Sequence, residues 1–129
     1  MLAIDTNVVV RLIVNDDAKQ ASIARALIEK ETVFVSLTVL LETAWVLQSA
    51  YGYVSTEVVR FLRAFSGIPT VTVEDHVALD AAFEWIEKGM GIADAFHLIA
   101  SRDCAGFATF DRAFVKRAAD VCDISVRAL

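Results

Sequence analysis

Short β-branched segments alternate regularly with longer amphipathic segments along this sequence. Strand-like runs occupy residues 2–5, 32–36, 70–73 and 106–110, and residues 122–126 fit a fifth strand at a sheet edge. The intervening segments repeat apolar residues at helical spacing, as in Val58, Leu62 and Phe65. Strands that alternate with helices favour a parallel sheet covered on both faces. The sequence therefore predicts an α/β fold.

Capping and helix-breaking residues define the expected helices. Helical patterns run over residues 7–14, 16–30, 37–50 and 93–102, and a short helix is expected through Val115 and Ala118. Ser55 and Asp75 are expected to cap two further helices, which stop near Gly67 and Gly89. No repeat or linker interrupts the pattern. A chain of 129 residues is then predicted to form a single domain, residues 1–129.

The composition excludes several classes of protein. Hydrophobic residues make up 57% of the chain, charged residues 22%, and the mean hydropathy is +0.54, which is unlike a disordered protein. No apolar run reaches the roughly 18 residues of a membrane helix, and no signal peptide is recognisable, so a cytoplasmic protein is expected. Cys104 and Cys122 lack metal-binding spacing and are predicted to be reduced packing residues. The net charge of −5 disfavours a general nucleic-acid binder unless the acids are concentrated at a metal site.

Four carboxylates fall where such a fold gathers ligands. Asp5 follows the first strand and Asp111 the fourth, and the carboxyl ends of parallel strands meet at the edge where ligands bind. Glu42 has mostly apolar neighbours at helical spacing, and an unpaired charge on an apolar face requires a cation or a raised pKa. Asp94 opens the helix after Gly91. Together, four like charges would repel unless they were protonated or a divalent cation bridged them, and oxygen ligands suit Mg²⁺ or Mn²⁺.

Each of these residues also has a purely structural interpretation. An acid after a strand or at a helix start can serve as an N-cap, and Glu42 could pair with a basic side chain. His97 shares a helix face with Asp94 and could contact metal or substrate, although a supporting or packed histidine is the more common case. Trp45 and Trp85 lie in helical stripes and are expected in the core or at an interface.

Four short segments occur in order across essentially the whole chain: LAIDTN at residues 2–7, LETAWVL at 41–47, IADA at 92–95 and ATFD at 108–111. They resemble the PIN domain family, and more closely the VapC-type toxins of bacterial toxin–antitoxin pairs. The resemblance implies a three-layer α/β/α sandwich with a short parallel sheet. Its first and fourth strands would be neighbours, which would bring Asp5 beside Asp111.

The resemblance also implies an activity, that of a divalent-metal-dependent endoribonuclease. Asp5 and Asp94 would hold Mg²⁺, or Mn²⁺ as a substitute, and Glu42 would bind it directly or through water. Asp111 would complete the acidic set. Metal-activated water would hydrolyse the RNA phosphodiester and leave a 5′-phosphate. Supporting hydrogen bonds would come from Thr6, Asn7 and Thr109.

The implied partners are RNA, a cognate antitoxin and a second copy of the chain in a homodimer, with no membrane. The antitoxin is predicted to cover the first helices and the stripe of Val58, Leu62 and Phe65. Basic side chains are hypothesised to line the RNA path. They are Arg11, Arg25, Arg60, Arg63, Arg102, Arg112, Lys116 and Arg117.

The sequence also leaves room for different functions. A phosphoacceptor receiver domain has a similar length and an acidic Mg²⁺ pocket, and Asp75 could accept the phosphoryl group. Such a domain requires an acidic pair after the first strand, where this chain has only Asp5. It also requires a lysine after the last strand, where this chain has Asp123 and Arg127. An aspartyl phosphatase requires a second acid at the position of Asn7. A PIN nuclease of RNA processing and an inactive PIN scaffold that only binds partners are two more candidate functions.

Overall fold

The computed structural model describes all 129 residues and contains seven helices and five short strands. The helices are α1 (Thr6–Ile13), α2 (Ala18–Lys30), α3 (Leu37–Ser49), α4 (Ser55–Ser66), α5 (His76–Glu87), α6 (Ile92–Ala100) and α7 (Arg112–Val121). The strands are β1 (Leu2–Ala3), β2 (Val33–Val35), β3 (Val71–Val73), β4 (Phe107–Thr109) and β5 (Val126–Ala128). This alternation confirms the predicted α/β fold class.

The chain forms two compact units, Met1–Asp75 and His76–Leu129. In the first unit, β1, β2 and β3 form a parallel sheet in that order, with Leu2 opposite Val33 and Val33 opposite Val71. The central strand is the most enclosed, since Val33 and Val35 are fully buried. Helix α1 packs against α2 and α3, and the four helices α1 to α4 supply most of the other buried residues. The C-terminal end of β1 therefore continues directly into a helix that is held by two others.

The second unit contains α5, α6, α7 and a two-stranded parallel sheet. Strand β4 pairs with β5, with Phe107 opposite Val126. Helices α5 and α6 form its main packed pair, in which Leu79, Phe83 and Leu98 are fully buried. Phe114 of α7 packs against Phe107, with ring centroids 5.5 Å apart. This packing fixes the start of α7 next to the end of β4.

Side chains at the helix starts explain where four helices begin. Asp5, Asp17, Ser36 and Asp111 each accept a hydrogen bond from a backbone N–H three residues later. Each of these bonds satisfies an N–H that has no partner within the helix. Ser55, which was expected to be a cap, is instead the first residue of α4, and Val54 occupies the cap position.

The strands differ from the expected ones in length and pairing. Strand β5 covers Val126–Ala128 rather than residues 122–126, because α7 continues to Val121 and a turn follows it. The first and fourth strands were expected to be neighbours, but they do not form a strand pair. Hydrogen bonds join β1 to β2 alone, and they join β4 to β5. The single domain over residues 1–129 stays a prediction.

Burial confirms some predictions about packing and corrects others. Trp85 is buried, as expected, whereas Trp45 is 66% exposed, which excludes the core and leaves the expected interface untested. Both cysteines are free, but Cys104 is exposed, so only the half-buried Cys122 can act as a packing residue. None of the helices has both the length and the apolar character needed to span a bilayer.

Candidate active site

The first part of the candidate site is the junction between β1 and α1. Asp5 follows the strand, and its Oδ1 accepts the N–H of Val8 at 3.3 Å as the N-cap of α1. The structural interpretation of Asp5 as a helix N-cap is thus confirmed. The side chain is exposed, and its Oδ2 has no donor within the protein. The cap holds the carboxylate in a fixed orientation while one oxygen remains available to a ligand.

Thr6 connects this junction to the second predicted acid. The Thr6 side chain is buried, and its hydroxyl Oγ1 donates a hydrogen bond to Oε1 of Glu42 on α3. A charged acceptor makes this a strong hydrogen bond. The packing of α1 on α3 supports it, because it keeps the two side chains within reach. Thr6 therefore positions the Glu42 carboxylate in the same unit as Asp5.

Glu42 differs from its sequence prediction in one respect. It was expected on an apolar helix face, but the structure places it on the exposed face of α3. The apolar residues near it in sequence point inward instead, as Leu40 and Leu47 do. Glu42 consequently has no burial penalty to offset, and its second oxygen is accessible to a ligand.

The second part of the candidate site is the start of α6. Asp94 lies in the first turn of this helix, half-buried, and Gly91 is the N-cap residue. A Cβ at position 91 would lie 3.2 Å from Oδ2 of Asp94, so glycine leaves room for the carboxylate. Burial and then the nearby charge of Asp111 raise the pKa of Asp94, and the charge of His97 lowers it.

Asp111 is held by the turn from β4 into α7. Its Oδ1 accepts the N–H of Phe114 at 3.1 Å, and its own N–H donates to Oγ1 of Thr109 at 3.0 Å. Like Asp5, it caps a helix and is exposed. The predicted support from Thr109 is therefore a hydrogen bond to the Asp111 backbone. Asp94 and Asp111 form a pair of like charges in the second unit.

The arrangement brings the predicted acids together in two pairs, Asp5 with Glu42 through the neighbouring Thr6, and Asp94 with Asp111. Neither unit by itself gathers three or more His, Cys, Asp or Glu side chains into a metal-binding group. The cluster of all four acids stays a prediction. The chemistry of the donors fits a hard divalent cation, because free carboxylate oxygens are the ligands that Mg²⁺ prefers. A cation would also relieve the repulsion between Asp94 and Asp111.

Asn7 and His97 are the two remaining residues that were predicted to support the site. Both side chains are exposed. Asn7 lines a groove of about 370 Å³ between α1 and α2 rather than bonding to any of the four acids. His97 lies one helical turn after Asp94, and its charge is close enough to affect the Asp94 pKa. Its predicted supporting role stays a prediction.

Sequence reasoning missed one polar network in the first unit. Asp16 accepts hydrogen bonds from the Tyr51 hydroxyl at 2.6 Å and from Arg11 at 3.1 Å. Arg11 also donates to Gln20 at 2.7 Å. The network joins the start of α2, the end of α3 and α1, and nothing local in the sequence connects residues 11 and 51. Arg11 is therefore engaged in the fold, which weakens its hypothesised role in the RNA path.

A comparison with protein families identifies the family of this chain. The family model described as "PIN domain" matches residues 2–120, a range that includes all four acids. The chain therefore belongs to the PIN domain family, whose members are generally metal-dependent nucleases. No individually curated protein sequence matches it significantly.

Proposed function

We propose that this protein is a divalent-metal-dependent endoribonuclease and the toxin of a bacterial type II toxin–antitoxin system. The observation that carries the proposal is the fixed orientation of three acids of a PIN-family chain, with the fourth half-buried near one of them. Asp5 and Asp111 are fixed as helix caps and Glu42 by Thr6, and Asp94 lies in the first turn of α6, where burial and then the nearby charge of Asp111 raise its pKa. Fixed carboxylates with free oxygens are what a catalytic cation site requires.

Mg²⁺ is the proposed ion, with Mn²⁺ as a substitute. Asp5 and Asp94 would bind it directly, Glu42 directly or through water, and Asp111 would complete the set. When bound, such an ion supplies a water molecule of lowered pKa and neutralises charge that develops on the phosphodiester. All four ligands are oxygen donors, which favours these ions over zinc.

The chain's own residues would prepare the site for this chemistry. Thr6 keeps Glu42 from rotating away, and the cap bonds do the same for Asp5 and Asp111. Preorganised groups need no reorientation when the reaction occurs, so their stabilisation of the transition state is greater than that of mobile groups. Thr109 orients the turn that carries Asp111.

Basic side chains on α7 are suited to hold the RNA backbone. Arg112 and Lys116 are exposed and lie one turn apart in the helix that Asp111 caps. Charge reversal at either residue should weaken cleavage and reduce its dependence on salt, because fewer counterions would be released. The same substitution at the exposed Lys19 of α2 is the matched control. An unchanged salt dependence in the Arg112 and Lys116 variants would remove them from the RNA path.

The proposed antitoxin site needs one correction. Val58, Leu62 and Phe65 are at most 3% exposed, because α4 turns this stripe inward, so they offer no surface to a partner. The first helices do offer one. The groove between α1 and α2 is largely apolar and contains the exposed Ile23. A second groove of about 340 Å³, between α1, α2 and α4, includes Phe61. These grooves support an antitoxin on the first helices, and a homodimer is proposed from the resemblance alone.

The competing functions are less well supported. The PIN family match disfavours a phosphoacceptor receiver domain, and no second acid or lysine takes the places that such a domain requires. A PIN nuclease of RNA processing remains the second candidate, because it would use the same acids on a different RNA.

The direct test is cleavage of total RNA by the purified chain, freed of any partner. Wild type should produce discrete cuts with 5′-phosphate ends in Mg²⁺ or Mn²⁺ and none in EDTA. Asp5→Asn should lose the cuts, whereas Asp123→Asn, an exposed acid outside the set, should keep them. Cuts that persist in EDTA or in Asp5→Asn would contradict the proposal.

Expression in bacteria separates the two nuclease candidates. A toxin should arrest growth when it is induced alone, and Asp5→Asn should not. Co-expression of the neighbouring small gene should restore growth and yield a complex. Metal-dependent cleavage without growth arrest would favour an RNA-processing nuclease instead.

A further inference from the structure

An unusually exposed tryptophan lies on the helix that carries Glu42. Trp45 is 66% exposed, whereas other large apolar side chains of α3, such as Leu40 and Leu47, are fully buried. Tryptophan is among the residues that are most buried on average. The exposure is not required by the packing of α3, since the helix buries a complete apolar face without it. The indole is therefore available for a ligand.

Trp45 belongs to a stripe of exposed residues along α3. The stripe consists of Thr38, Glu42, Trp45 and Ser49, which follow one another at intervals of four, three and four residues. Residues three apart on a helix have Cβ atoms roughly 5–6 Å apart and share a face. The indole is thus adjacent to the carboxylate that Thr6 holds in place.

The surroundings of Trp45 favour a flat ligand over a protein partner. Its neighbours on the stripe are hydroxyl and carboxylate side chains, and no other large apolar side chain of α3 is exposed. A stable protein interface buries about 800 Å² on each partner, whereas the exposed apolar surface on this face of α3 is a single tryptophan side chain, at most about 250 Å². A nucleobase needs only one aromatic face on which to stack.

We propose that Trp45 stacks on a base of the RNA strand next to the phosphodiester that is cleaved. The inference rests on the proposed ribonuclease function and assigns a base-binding residue to that site. A base can reach the indole only when it is unstacked from its neighbours in the strand. Trp45 is then a substrate-binding residue and takes no part in the chemistry.

The test measures binding of fluorescein-labelled 12-nucleotide RNAs by fluorescence anisotropy. The probes are oligoadenosine, oligouridine and an abasic strand with the same sugar-phosphate backbone. All proteins carry Asp94→Asn, so that the probes stay intact. Trp45→Phe keeps an aromatic face, whereas Trp45→Leu keeps apolar volume without one. Thermal unfolding and size-exclusion chromatography check the fold and the oligomeric state.

Stacking predicts a specific pattern across these variants. Trp45→Ala and Trp45→Leu should bind both base-containing probes about 5- to 150-fold more weakly, the range for loss of one base–aromatic stack. Trp45→Phe should retain most of the affinity. All proteins should bind the abasic strand equally.

Three results would overturn the inference. Trp45→Leu could bind as tightly as Trp45→Phe, the loss could persist on the abasic strand, or Trp45→Ala could dissociate a dimer without changing RNA affinity. Cleavage of total RNA by the unaltered chain is scored separately. If that cleavage fails while the stacking pattern holds, the ribonuclease proposal falls and Trp45 remains an RNA contact.

Discussion

Replacing Thr6 by valine tests whether its hydroxyl positions Glu42. Valine has nearly the same shape as threonine, so the substitution removes the hydrogen bond to Glu42 and leaves the buried volume filled. A buried hydrogen bond to a charged group contributes about 1.5–3 kcal/mol. Glu42 is exposed, so water can replace the hydroxyl. The expected loss of folding stability is therefore smaller, about 0.5–1 kcal/mol.

The expected effect on catalysis is larger than the effect on folding. Without Thr6, Glu42 can adopt several orientations, and we expect the barrier to rise by about 1–2 kcal/mol, which is about a 5- to 30-fold loss of kcat/KM. Urea unfolding measures the stability, and cleavage of a mapped RNA site measures the rate.

Two control variants make this prediction specific. Thr6→Ser keeps the hydroxyl and should retain most of the activity. Thr43→Val removes a hydroxyl on α3 that bonds only to the Val39 carbonyl, so it should leave kcat/KM within about twofold. If Thr6→Val cleaves RNA as fast as wild type, or if Thr43→Val loses as much activity, the positioning role of Thr6 is refuted.

Three further predictions follow from individual residues. The pKa of Asp94 is raised in the folded protein, so the folded state holds this proton more tightly than the unfolded state, and stability should fall as pH rises above 3.8. Mg²⁺ should reverse that fall, and unfolding midpoints measured with and without Mg²⁺ would show it. The Tyr51 hydroxyl and then Arg11 lower the pKa of Asp16, so the ionised Asp16 stabilises the folded protein above pH 3.8 and this stabilisation is lost as pH falls. Tyr51→Phe should therefore reduce stability at neutral pH and lessen the loss of stability in acid. Gly89→Ala should destabilise the protein by about 1 kcal/mol or more, because Gly89 has φ of +103° and a Cβ there would lie 3.2 Å from the Arg117 guanidinium.

Each of these predictions has a control. Asp94→Asn should remove the response to Mg²⁺, and a response that survives it would place the ion elsewhere. Asp16→Asn should abolish the pH effect of Tyr51→Phe. Gly52 also has a positive φ, +72°, but no atom lies within 4 Å of a Cβ there, so Gly52→Ala isolates the backbone strain. Equal costs at Gly52 and Gly89 would exclude a contribution from Arg117.

Local patterns in the sequence were enough to predict most of the fold. Strand and helix positions depend on periodicity and on capping residues, and Asp5 and Asp111 both cap helices as their positions after strands indicated. The end of the chain was harder, because the start of β5 depends on where α7 stops. Pairing of strands also depends on contacts distant in sequence, and here β1 pairs with β2 alone.

The candidate site was predictable in its residue types but not in its contacts. The four acids and Thr6 could be named from motifs, whereas the hydrogen bond between Thr6 and Glu42 joins residues 36 positions apart. Glu42 was wrongly predicted to lie on an apolar face of α3. This helix has many apolar residues and no strongly polar face, so the sequence pattern does not show which side of it faces solvent. The same ambiguity explains why Trp45 was expected in the core or at an interface, and its exposure emerged only from the structure.

Calorimetric titration with Mn²⁺ shows whether these acids hold a catalytic cation. Wild type and Asp123→Asn should bind the ion, while Asp5→Asn and Asp94→Asn should each lose most of the affinity and retain their fold by circular dichroism. If both site variants bind Mn²⁺ as tightly as wild type, the four acids do not form the metal site and the proposed chemistry is wrong.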